Sequence, residues 1–313
     1  MAGDKMKCLM KEKEEPGYTL KEIDVPIPQE GELLVKCLKS SICGSDINLF
    51  VWNDIARNIA TVPFIPGHEG VSEIVKVGAG CPEEYKVGLT VCCENHFYCG
   101  TCYQCLHNQQ HICQNLSQYG HGKGTIHGGF SEYSIIPTRY AYILKRNLDP
   151  EIACLLEPFG VSHQGVEKLQ PKDETVLVQG CGPIGLYAVS LFMEETNNDG
   201  VGCLLEASGA QPLVNNCFQM LRKGGTVVLI GVPKKALYVE NVNRDILFKS
   251  LTLHTVHGRK IFHTWEHCER ILADGKIDIS ATISHRFGMS EWEQAFEALM
   301  SGKCCKIMID PQR

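Results

Sequence analysis

The sequence predicts an α/β protein of two lobes, on three observations. The first half holds short β-prone runs separated by Pro26, Pro28 and Gly31, a glycine-rich turn closes an apolar strand at Gly180, and strands then alternate with helical patterns as in a parallel sheet. At 313 residues, 44% of them hydrophobic, the chain is long enough to bury two cores.

Composition removes several function classes. The formal charge is -6 and Lys and Arg are scattered, which argues against nucleic acid or an anionic membrane as partner and favours small molecules. No apolar run approaches the roughly 20 residues of a membrane span, and the start Met1-Ala-Gly-Asp-Lys5 lacks the apolar core of a secretory signal. A cytoplasmic location is expected. The 17 cysteines are odd in number and four are tightly spaced, so they read as reduced thiols, some of them bound to metal.

Taken in order, Lys7 to Met10 and Leu33 to Leu38 predict strands, and Cys43 follows in SSICGSDIN. Pro66-Gly67-His68-Glu69-Gly70 comes next, with Gly67 permitting a tight approach before His68 and VSEIVKV alternating as a half-buried strand. Cys43, His68, Glu69 and the later Glu157 supply a thiolate, an imidazole and carboxylates, the donors of a catalytic zinc that keeps one position open. Taken singly, Cys43 also fits a small core thiol and Glu157, in LLEPFG, a solvated acid at a turn. Cys99, Cys102, Cys105 and Cys113 form the strongest local signal, four thiolates suited to a closed tetrahedral structural zinc. Gln114, not proline, follows the last of them, which disfavours an iron–sulfur run.

From Thr175 the pattern changes. TVLVQG predicts a strand, and Gly180, Gly182 and Gly185 in GCGPIG stand at dinucleotide-fingerprint spacing before the apolar helix LYAVSLF. VGCLLEASG predicts another strand, Pro212 to Leu221 a helix stopped by Gly224, and TVVLIG a third strand. Phe262 to Leu272 predicts a helix with Trp265 and Cys268 on one face. Ser290 and Glu293 predict a capping box for a last helix whose Trp292, Phe296 and Leu299 share a side, and CKIMID predicts the final strand.

Cys43 with Gly67-His68-Glu69, the four-cysteine loop, Glu157 and GCGPIG stand in an order that resembles the zinc-dependent medium-chain alcohol dehydrogenase family across essentially the whole chain. Within it, KEKEEPGYTLKEIDVP, VWNDIA, HGRKIFHTWEHCERIL and ISHRF look most like the threonine-oxidising branch, with sorbitol and butanediol branches as near rivals. The resemblance implies a GroES-like, mostly-β catalytic domain over 1–158 and 282–313 and a Rossmann-type, doubly wound domain over 159–281, with the cleft between them. It implies a catalytic zinc at Cys43, His68, Glu69 and Glu157, a structural zinc at the four cysteines, and a proton path through Ser45. Gly180, Gly182, Pro183, Ile184, Gly185, Ile230, Gly231, Val232, Val256 and His257 match cofactor-lining positions. The implied reaction passes a hydride from a secondary alcohol, L-threonine first, to NAD, in a homotetramer or homodimer.

Two positions depart from the family pattern. Asn48 stands where a relay histidine is usual, and an amide cannot take up the proton. After Phe192, Met193 to Asn198 leads directly to VGCLLEASG, so on the order of 40 residues are missing, one strand-helix-strand unit. That unit normally ends in the acid that binds the adenosine ribose. Glu206 has fingerprint spacing for that acid but matches a later strand, which makes it a structural or nicotinamide-side residue. These departures leave open a zinc-binding protein that has lost its cofactor.

Overall fold

Buried side chains on both faces pull β3 (Glu32–Ile42) into the middle of a seven-stranded sheet. The computed structural model describes residues 4–170, 176–180, 182–184 and 201–313, which divide into two compact units, one up to Glu157 with Ile261–Arg313 and one of Pro158–Lys260. In the first unit the chain runs through β1 (Lys5–Met10), β2 (Thr19–Asp24), β3, the helices α1 (Gly44–Val51) and α2 (Asp54–Ile59), β4 (Glu69–Val77), β5 (Thr90–Cys93) and β6 (His96–Phe97). It continues with α3 (Tyr103–Leu106), β7 (Ser117–Gln118), β8 (Tyr133–Pro137), β9 (Ala141–Ile143) and α4 (Pro150–Cys154). The sheet order is β14-β15-β3-β4-β5-β9, with β8 also on β3 and with β14 (Ile283–Gly288) and β15 (Lys306–Asp310) drawn from the far end of the chain. Leu33, Val35, Ile74, Val91 and Ile136 fill one core of this GroES-like unit.

The second unit is a parallel sheet of β10 (Val176–Gln179), β11 (Val201–Glu206), β12 (Leu221–Leu229) and β13 (Thr252–Thr255), in that spatial order. Both faces are covered. On one, Leu169 of α5 (Leu156–Leu169) packs with Cys203, Leu205 and Val228; on the other, Cys217 and Phe218 of α6 (Gln211–Met220) pack with Leu204 and Val227. Alternate residues of β11 therefore serve opposite cores, the doubly wound arrangement expected of near-continuous apolar strands. Cys181, Gly185 and the helix expected at LYAVSLF lie outside the described residues.

Three details differ from the sequence reading. Residues 261–281, expected in the Rossmann-type domain, pack on the first unit through α7 (His263–Ala273): Trp265 Nε1 donates to Glu94 Oε2 at 2.8 Å, and Tyr142 Oη donates to Glu269 Oε2 at 2.6 Å. The first bond ties α7 to the residue after β5 and the second ties it to β9, contacts that periodicity cannot reveal. The capping bond expected of Ser290 and Glu293 is made instead by Glu291, whose Oε2 accepts from Gly288 N at 2.6 Å ahead of α8 (Trp292–Met300). Finally, β12 begins directly after α6 at Leu221, with a register shift that leaves Gly224 in the left-handed region at φ 73°. As expected, Trp265, Cys268 and Phe296 are core residues.

A candidate metal centre and a candidate cofactor edge

A thiol, an imidazole and a carboxylate converge at the start of β4. Cys43 is the N-cap of α1, and its backbone N–H donates to Asp46 Oδ2 at 2.9 Å, which fixes the helix start. Gly67, at φ 92°, precedes His68 because a Cβ there would stand 2.7 Å from the Phe130 ring. The ligand atoms of Cys43, His68 and Glu69 lie within 4.8 Å of one another. Ser45 Oγ lies 3.4 Å from His68 Nε2, while Nδ1 faces Asp46 Oδ1 at 3.6 Å, an ion-pair distance rather than a hydrogen bond. Burial penalises the imidazolium, yet the Asp46 carboxylate outweighs it and holds the His68 pKa well above the ordinary histidine range. Binding a metal requires the ring to give up one of its two protons, with Nδ1 turned toward Asp46 and Nε2 toward Ser45.

Glu69 is fully buried, paired on Oε2 with Lys306 Nζ and Ser41 Oγ, and its Oε1 has no hydrogen-bond partner. An orphaned buried carboxylate oxygen costs free energy unless something positive meets it, and it stands in the same cluster as the thiol and imidazole. The donor set therefore fits a zinc ion. Glu157 is buried near the N-terminus of α5, outside that three-residue cluster, and accepts from Asn95 Nδ2 at 3.2 Å. Asn48, in the place of a relay histidine, is tied up structurally: its Oδ1 accepts from Asn53 Nδ2 at 2.7 Å, while Asn53 Oδ1 caps α2.

The four cysteines of the second cluster come together around α3. Their Sγ–Sγ distances of 3.5 Å (Cys102–Cys105), 3.7 Å (Cys102–Cys113), 3.5 Å (Cys99–Cys113) and 4.0 Å (Cys99–Cys105) bracket the ~3.8 Å edge of a tetrahedron with Zn–S bonds near 2.3 Å. The Thr101 hydroxyl, with backbone donors of Thr101 and Cys102, brings the Cys99 thiol down to about 5, while burial raises that of Cys105 to about 12. No disulfide links the described cysteines.

In the second unit the strand ends line up. Gln179, Glu206, Leu229 and Thr255 stand in one register, so Gly180, Ile230-Gly231-Val232 and Val256-His257 all leave the sheet at its carboxyl edge, where ligands of such sheets bind. A Cβ at Gly180 would meet Ser208 N at 2.9 Å and one at Gly231 would meet Gly209 N at 2.2 Å, so the turns pack backbone on backbone. Gly182, just before the helical Pro183 and Ile184, has nothing within 4 Å of a built Cβ, leaving room for a phosphate. Glu206 is fully buried. Its Oε1 accepts from Ser208 N at 2.9 Å and Gly209 N at 3.1 Å, which makes it the lock of the turn after β11.

Some residues around these sites were invisible in sequence. Asp46 could have been found from its place three residues after Cys43. Lys306 and His121 could not, because nothing local marks them; His121 stacks obliquely on His68 with ring centroids 5.0 Å apart and Nδ1 at 3.1 Å from Tyr119 O.

Comparison with known proteins agrees with this architecture. Residues 29–146 match the alcohol dehydrogenase GroES-like domain and residues 185–274 the zinc-binding dehydrogenase domain. The fold and its two sites define a two-unit zinc-type dehydrogenase. The chain belongs to the zinc-dependent medium-chain alcohol dehydrogenase family of oxidoreductases: it is 32% identical to L-threonine 3-dehydrogenase of Thermococcus kodakarensis over 352 residues, covering 99% of each chain. The enzyme of that name from Pyrococcus furiosus is 33% identical, over 97% of this chain and 98% of its own. Among solved structures, a zinc-binding dehydrogenase of Sinorhizobium meliloti bound to NADP shares the fold at TM-score 0.87 and 24% identity, over 98% of this chain and all of its own. So does 2R,3R-butanediol dehydrogenase of Bacillus subtilis at 0.84 and 21%, over 98% and 99%.

Proposed function

We propose that the protein is a zinc- and nicotinamide-dependent dehydrogenase that oxidises a secondary alcohol, L-threonine to L-2-amino-3-oxobutanoate, with NAD as acceptor. The observation that carries this reading is the convergence of Cys43, His68 and Glu69, in a chain about one-third identical to L-threonine 3-dehydrogenases over nearly its whole length. Cys43, His68 and Glu69, with Glu157 as a further carboxylate, would hold the catalytic zinc, and Cys99, Cys102, Cys105 and Cys113 a structural one. A zinc ion so held is a Lewis acid that lowers the pKa of the substrate hydroxyl, and nicotinamide is the hydride acceptor.

The chain's own residues do the rest. Asp46 orients His68, and Lys306 with Ser41 holds Glu69 in place. Ser45 Oγ, 3.4 Å from His68 Nε2, takes the hydroxyl proton outward. Because the Asn48 amide is engaged with Asn53 and carries no basic nitrogen, the next acceptor is water rather than a side chain at that position. Pro183, Ile184, Ile230, Gly231, Val232, Val256 and His257, with the glycine turn, line the cofactor. The same reading places the protein in the cytoplasm as a homo-oligomer whose partners are small molecules; no described helix is long and apolar enough to cross a membrane.

The test is an NADH-forming assay with L-threonine, sorbitol and 2,3-butanediol. Turnover of threonine is expected; turnover of a polyol alone would move the protein to a sister branch, as the fold of butanediol dehydrogenase allows.

A further inference from the structure

We propose that a cavity beside the four-cysteine loop binds a small organic ammonium ion with an aromatic body, at a site that shares no residue with Cys43, His68 and Glu69.

The cavity measures about 340 Å3, at the small end of ligand pockets, and every residue that lines it belongs to the first unit. One side is aromatic. Phe97 and Tyr140 stack with ring centroids 4.0 Å apart, Tyr98 meets Tyr140 edge-on at 5.4 Å, and the Tyr140 hydroxyl donates to Tyr98 O at 2.8 Å. Such a wall is held in place by its own contacts, so an aromatic ligand body meets it at little ordering cost.

The other side offers acceptors. Glu32 Oε2 accepts from Gln29 N at 2.8 Å, and among the described residues no Lys or Arg lines the cavity or forms an ion pair with the carboxylate. His127 Nδ1 is buried without a hydrogen-bond partner, and burial lowers the pKa of this ring despite Glu32, so the ring is a neutral group rather than a counter-ion to the carboxylate. With the ring proton on Nε2, Nδ1 accepts. Ser117 adds a hydroxyl, which Gly124 at φ 82° leaves uncovered: a Cβ there would stand 2.3 Å from Ser117 Oγ.

A carboxylate, a ring nitrogen and a hydroxyl match the three N–H donors of a primary ammonium ion. An anion would meet the Glu32 charge, and a wholly apolar molecule would cover the carboxylate and Nδ1 without satisfying either.

The probe is phenethylammonium, titrated calorimetrically into the full-length protein at neutral pH, with phenethyl alcohol and phenylacetate as neutral and anionic controls of similar shape. The ammonium is expected to bind with a Kd below about 1 mM and both controls at least about tenfold more weakly. Glu32→Gln, which can still accept from Gln29 N, should weaken the ammonium by more than about tenfold, and His127→Phe, which keeps a ring without the nitrogen, by about threefold or more, each at parental circular dichroism. Saturating L-threonine should leave the affinity unchanged. No binding of the ammonium up to about 1 mM, controls that bind as well, parental affinity in either folded variant, or displacement by L-threonine would overturn the inference.

Discussion

Lys306 and Glu69 form a buried ion pair that links the last strand of the chain to the candidate metal centre. The lysine ammonium, on β15, closes on Glu69 Oε2, where Ser41 also donates, and Oε1 of the same carboxylate remains without a hydrogen-bond partner. Two buried charges so placed are costly to separate, since removal of either strands the other. Lys306→Met should lower the free energy of unfolding by about 3–5 kcal/mol in urea titration, and Glu69→Gln added to it should recover part of that loss.

The four-cysteine loop is expected to hold its own ion independently. Cys113→Ser should remove one zinc equivalent per chain and leave the other bound. It should also make the segment 99–113 the first site of proteolysis, because this loop has little apolar core beyond its thiols. Retention of the full metal content in Cys113→Ser would show that the sulfur tetrahedron is not a ligand set.

His121 should make stability depend on pH. Burial, reinforced by the neighbouring His68, pushes its pKa from 6.5 down to about 4. Between those values the unfolded chain binds the proton and the folded chain does not. Its contribution is therefore fully present above pH about 6.5 and lost as the pH falls to about 4. Denaturant titrations at pH 7 and pH 4.5 should differ by on the order of 2 kcal/mol more in the parent than in His121→Asn. Equal pH dependence in the two proteins would remove His121 from the account.

Glu206→Gln separates a structural acid from a ribose-binding one. Loss of charged acceptors for the Ser208 and Gly209 N–H groups should cost about 1–3 kcal/mol of stability with NADH affinity little changed. A large loss of affinity at unchanged stability would identify Glu206 as a cofactor contact.

Much of this was legible in the sequence where chemistry is local. The CxxCxxC spacing gave the sulfur cluster, the glycines of GCGPIG marked the turn after β10, alternation identified β4, and β-prone composition identified β3 and β15. What sequence could not show is what distant elements do to one another. Buried bonds from Trp265 and Glu269 bring 261–281 to the first unit against the expected boundary at 281/282, and Glu291 rather than Glu293 makes the capping bond. Lys306 becomes part of the metal centre only because β15 lies beside β3, a pairing across most of the chain. Glu157, expected among the ligands, stands beside Asn95, outside the Cys43, His68 and Glu69 cluster.

The zinc content of the parent protein and of His68→Ala, measured by elemental analysis on the same preparation, bears most directly on the central claim. Two zinc ions per chain are expected for the parent and one for His68→Ala, with the four-thiolate ion retained. One zinc in both proteins, or two in both, would contradict a metal centre at Cys43, His68 and Glu69.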